Sequence, residues 1–134
     1  MRQGESAMQL KMLAAAAAVV VSAGTPVLAQ VAPAGISDRY TACQARARGN
    51  TVQGGICAQT EMASQDARLN KAYQQVMRQL ASRPAQRIAL RDEQRSWLKA
   101  RDYECKIDGE TIDTACLVSK TATRANELER KIRF

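Results

Sequence analysis

Histidine is absent from this chain. That removes the ordinary imidazole base, which general acid–base and nucleophilic schemes use most often. Aromatic residues are few: one Trp, three Tyr and one Phe. Leucine, isoleucine, methionine and alanine must therefore fill any interior. There is no C-x-x-C pair, no glycine-rich phosphate loop, no strand-like alternation and no internal repeat. The longest apolar run, Met12 to Val21, falls short of the roughly 20 residues that a bilayer-spanning helix needs. Carboxylates are outnumbered, with 13 Asp and Glu against 20 Lys and Arg. These absences argue against an enzyme, a bound cofactor or metal, and a stable membrane span.

What is present begins with an export signal. Arg2 and Lys11 give a basic start, Met12 to Val21 an apolar centre, and Gly24 and Pro26 a helix break. Val27-Leu28-Ala29 then fits the small-x-small cleavage rule ahead of Gln30. Residues 1–29 are read as a signal peptide, 30–36 as a flexible leader and 37–134 as a single domain. An uncleaved anchor is the rival reading, and Met8 is an alternative start. No cysteine follows the cleavage site closely, so a lipid anchor is not expected. The expected location is the periplasm or the exterior. Two basic residues and one acidic residue leave with the signal, so the remainder stays cationic.

Four cysteines in a short exported chain read as two disulfides, for which a sequence allows three connectivities. Cys43 and Cys57 are placed symmetrically about Asn50, and Cys105 and Cys116 flank Asp108-Gly109-Glu110-Thr111. If both segments are helix–turn–helix, each pair faces itself across its own turn. Each local bridge then stabilises by about 3 kcal/mol in the chain-entropy account. A zinc site fails on spacing and on the missing histidine. A crossed Cys57–Cys105 bridge stays open, because a hairpin between them brings those ends together.

Four helices follow from periodicity and caps. Ser37 caps a short helix running to about Arg48, and Gly49-Asn50 stops it. Thr51 caps a second helix to about Ala81, with Met62, Leu69, Tyr73, Val76 and Leu80 at helical spacing. Gly54-Gly55 weakens its first turn and shifts the expected start towards Ile56. Pro84 opens a third helix to about Lys106, with Leu90, Trp97, Leu98 and Cys105 inward. Thr111 or Asp113 caps the last, where Ile112, Cys116, Leu117, Thr121, Ala125, Leu128 and Ile132 repeat. Short connections predict antiparallel neighbours. The fold class is all-α: a small antiparallel bundle of about four helices with two disulfides.

Polar residues interrupt these seams. A hairpin about Pro84 brings Asp66 level with Arg101, with Asn70 and Gln94 as further partners. The four are read as a register-fixing polar network, with a ligand site as the functional alternative. A buried Asp66–Arg101 pair makes Asp66→Ala cost about 3–5 kcal/mol.

The run Cys57…Asp66-Ala67-Arg68-Leu69-Asn70-Lys71-Ala72-Tyr73, then Gln94-Arg95-Ser96-Trp97, Arg101-Asp102, Cys105, Cys116 and Thr121-Ala122-Thr123-Arg124 resembles the LprI-type lysozyme-inhibitor domain family. The resemblance covers about Tyr40 to Ile132. It implies an exported, helical, disulfide-bonded domain that binds lysozyme as a protein partner. Gly54 departs from the bulkier residue expected before the second cysteine, and the lipid-anchoring cysteine of lipoprotein members is missing.

Charge supplies a second functional reading. Arg87, Arg91, Arg95 and Lys99 repeat every four residues as a basic ridge on the third helix. Such a ridge is a solvated face or a contact for anionic wall polymer or lipid headgroups. Nucleic acid is not expected, since no aromatics interleave the ridge for base stacking. Animal-type lysozymes are cationic, so two positive proteins repel on encounter. A lysozyme cleft nonetheless carries a carboxylate pair. Arg83 and Lys106, at the ends of hairpins, are the cations placed to reach it.

Overall fold

The computed structural model describes residues 32–134. The expected signal peptide and the first residues of the expected leader lie outside the described residues. Four helices are present: α1 (Asp38–Ala47), α2 (Thr51–Gln79), α3 (Pro84–Glu104) and α4 (Thr114–Lys131). The only other pairing among the described residues is an isolated bridge between Lys106 and Ile112.

The caps explain where each helix starts. The Ser37 side chain accepts from Tyr40 N, as its position predicts. Arg48 (φ 49°) and Gly49 (φ 78°) turn left-handed and end α1. Asn50, rather than Thr51, caps α2 by accepting from Gln53 N. Pro84 stands in the first turn of α3, where its missing N–H costs nothing. Asp113 caps α4 by accepting from Ala115 N.

Regular helix begins at Thr51 and not near Ile56. Tertiary contact outweighs the weak glycine propensity there. Gln44 of α1 donates to the Gly54 carbonyl at 3.0 Å. A Cβ at Gly54 would stand 3.0 Å from the Oε1 of the same Gln44 side chain. The departure at Gly54 thus lets α1 lie close against α2.

Both disulfides are the local ones, Cys43–Cys57 and Cys105–Cys116, with Cα separations of 5.8 and 5.5 Å. The crossed pairing is not formed, and no cysteine is free to ligate zinc.

The core is the seam between α2 and α4. Leu69, Ala72 and Val76 meet Ala125, Leu128 and Leu90, and Tyr73, Met77, Leu80, Trp97 and Ile132 close its edges. Ala58, Val118 and Ala122 are also buried. Small side chains let two helix backbones approach closely, and α2–α4 is the most extensive helix contact. α1 covers α2, while α3 meets α4 over only a few backbone positions. α3 reaches the core through longer side chains, Leu90, Gln94 and Trp97, so its backbone stands further off.

Register follows from cross-links along this seam. Thr121 bonds Met62, Arg68 bonds Asn126, and Gln79 bonds Arg133. Position rises along both helices together, so α4 runs parallel to α2, with α3 as the antiparallel return. Cys57 and Cys116 each lie five residues before the Met62–Thr121 contact. The two disulfides therefore brace the same end of the bundle.

Candidate functional site

The polar residues on α2 form an anchor for the leader. The buried stripe of this helix runs Cys57, Ala58, Glu61, Gln65, Leu69, Ala72, Val76. Glu61 accepts from Ser37 N at 2.9 Å and from Ser37 Oγ at 2.6 Å. Burial pushes its carboxyl up, but the Ser37 bonds, the Gln65 amide and the charge of Arg39 outweigh burial and hold it below its ordinary value. Gln65 donates to the Gly35 carbonyl, and Asn126 to that of Ala34, both at 2.8 Å. Ala34 and Gly35 of the expected flexible leader, with Ser37 just after it, are thus tied across α2 and α4. Gly35 (φ 87°) adopts a left-handed backbone that strains other residues, and a Cβ there would also displace the Arg68 guanidinium. Arg68 in turn forms a two-bond pair with Glu129, both contacts at 2.7 Å.

A second polar group fills the α3–α4 seam. The Arg124 side chain is only 6% exposed. Its Nε donates to Gln94 Oε1 at 2.9 Å and its Nη1 to Glu127 at 3.1 Å. Its Nη2 stands 2.8 Å from Glu93 Oε1, an ion pair off the hydrogen-bond direction. Arg101 donates to Asp102 at 2.9 Å and to Thr121 Oγ1 at 3.3 Å. Both guanidiniums lie over the Trp97 ring, 5.3 and 5.9 Å from its centroid. A shallow cleft of about 340 Å³ opens beside them, lined by Trp97, Arg101, Lys120, Arg124 and Glu127. Its cations are each engaged by a carboxylate. The arrangement holds helices together and offers neither a nucleophile–base pair nor a metal cage. No group of three or more ligating side chains occurs among the described residues.

The expected polar network is not assembled as one cluster. Asp66 and Asn70 are exposed. Arg101 takes Asp102 as its ion partner, and Gln94 takes Arg124. The hairpin argument fails because α4, not α3, occupies the buried face of α2. Leu98 is likewise not inward, at 37% exposure. Arg124 and Glu61 were missed. Both stand on buried helical spacing, Arg124 between Thr121 and Leu128 and Glu61 between Ala58 and Gln65, but a seam traced through apolar residues alone passes over them.

The ridge residues Arg87, Arg91, Arg95 and Lys99 are all exposed, with Arg91 pairing Asp92 at 3.0 Å. Arg83 is exposed at the start of α3, at the end of the bundle remote from the disulfides. Lys106 belongs to the loop between α3 and α4 at the braced end. That loop is closed three times: by Cys105–Cys116, by Ile107 N donating to Thr111 O at 2.9 Å, and by Asp113 N donating to Cys105 O at 2.8 Å. Asp108 staples the tip by accepting from Thr111 N at 2.7 Å and Glu110 N at 3.1 Å. Those bonds hold its carboxyl below the ordinary range.

A braced, helical, four-cysteine domain is the class these features define. The family model described as Lysozyme inhibitor LprI matches residues 43–128, from the first cysteine to the last buried leucine. The chain belongs to the LprI family. Searches of curated proteins and of solved structures returned no match. Among the described residues, no helix is long and apolar enough to cross a membrane.

Proposed function

We propose that this protein acts in the cell envelope as a binding inhibitor of a lysozyme-type muramidase. The observation that carries the reading is the family match over residues 43–128, which takes in all four cysteines and most of the helical core. Family membership supports inhibition by protein contact rather than by catalysis. Two disulfides fit an oxidising compartment, in line with the signal read in residues 1–29 and cleavage near Ala29. Rigidity suits the role, since a braced surface loses little conformational freedom on binding.

A lysis assay tests this. Disulfide-intact protein beginning at Gln30 is mixed with a cationic lysozyme and bacterial walls. Clearance of the walls slows at stoichiometric ratio. Unaffected lysis at large excess removes the reading. Salt-sensitive sedimentation with anionic vesicles or isolated walls, in the same unaffected sample, assigns the basic ridge the functional role instead.

A further inference from the structure

We infer that the loop between the second disulfide's cysteines, Cys105 to Cys116, is the surface that meets the muramidase. The inference rests on the proposed inhibitory function and adds the place of contact.

Exposed apolar side chains concentrate at this end of the bundle. Tyr103 is 76% exposed, Ile107 70% and Ile112 39%, and Val52 and Ile56 are exposed on the neighbouring start of α2. Large apolar groups left in water on a rigid, closed loop mark a contact surface more than a solvated turn. Among the described residues, the ridge helix adds Ile88 and the marginally exposed Leu98, and the chain end adds Phe134.

Charge selects the partner. Asp102 and Glu104 are neutralised by Arg101 and Lys120. Asp108, Glu110 and Asp113 remain against the single Lys106. The loop is thus locally acidic on a chain whose formal charge is +7. With about 1.5 Å of rise per residue, Arg87 lies on the order of 25 Å along α3 from Cys105. At physiological salt, exposed charges further apart than about 8 Å are largely screened from one another. Arg87 and Arg91 therefore do little to repel a cationic protein arriving at the loop, whereas Lys99, about 9 Å from Cys105 along α3, stands near the screening length. α1 packs on α2, and Arg46 and Arg48 stand at its turn into α2, outside the loop itself. A cationic partner with a concave cleft is complementary to this convex, acidic and apolar loop. Lys106 is then the cation placed near the cleft's carboxylates, and Arg83 is not.

The test measures affinity for a cationic lysozyme with wild type, Ile107→Asp, Glu110→Lys and, as control, Arg87→Glu. All three positions are exposed, so helicity and both disulfides survive; circular dichroism and non-reducing peptide mapping confirm it. Each loop variant weakens Kd by about tenfold, Glu110→Lys flattens its salt dependence, and the control stays within about twofold. Hydrogen exchange on adding lysozyme slows at 106–112 and not at 84–95. Loop variants matching a wild type that binds would overturn the loop assignment and leave the inhibitor reading standing. A wild type that neither binds nor slows lysis overturns both.

Discussion

The two sides of α4 hold their neighbours by different means. Towards α2 it presents Val118, Ala122, Ala125 and Leu128, all fully buried, and the backbones close onto an apolar seam. Towards α3 it presents Arg124, which reaches Gln94, Glu93 and Glu127 beside the Trp97 ring. The first side gains by removing apolar surface from water and tolerates no loss of volume. The second fixes where α3 sits through directional bonds, whose net contribution is smaller because water competes for the same groups. One helix thereby combines a stability face with a positioning face. The positioning face sets α3, and so the loop that follows it.

The largest effect is expected on the apolar side. Leu128→Ala leaves a cavity and costs about 2–5 kcal/mol by urea titration; a loss below the cost of Arg124→Met would reverse the comparison. Arg124→Met costs about 1–3 kcal/mol, because the buried Gln94 amide loses its partner while Glu93 and Glu127 return to water. Its mark should be local, with faster amide exchange in α3 than in α2. Glu61→Gln costs about 1 kcal/mol at neutral pH. The Glu61 carboxyl lies below its ordinary value of 4.5 in the folded protein, so its contribution is complete above that pH and is lost as pH falls through the folded value. Stability measured between pH 6 and pH 3 (roughly the window in which carboxylates protonate) should fall more steeply in wild type than in the variant. Asp66→Ala should change stability by less than about 0.5 kcal/mol, since the side chain is exposed. A loss of several kcal/mol would restore the Asp66–Arg101 lock and contradict the register described above.

Local features were legible. Ser37 and Asp113 cap as their chemistry dictates, Pro84 opens α3, and the two short cysteine spacings close on themselves. The buried stripe of α2 was only half legible. Leu69 and Val76 are core as expected, but Glu61 and Gln65 occupy the same face as polar members, while Met62 is only half-buried. Apolar periodicity marks greasy positions and is blind to a carboxylate satisfied by a partner 24 residues away. The same blindness hid Arg124. Asp66 erred in the opposite direction: it interrupts a seam in sequence yet stands on the outer flank of the helix.

What the chain determined by itself was local: most helix boundaries marked by caps and breakers, four cysteines spaced for two local bridges with the crossed pairing left open, an all-α class read from periodicity, and a family resemblance carried by dispersed motifs. Only the tertiary structure decided that α4 rather than α3 fills the face of α2, because either helix offers a compatible apolar stripe. Side-chain size made the choice: alanines on α4 admit close backbone approach, whereas Gln94, Trp97 and Arg101 hold α3 at a distance. The disposition of charge, acidic loop at the braced end and basic ridge along α3, follows from that choice.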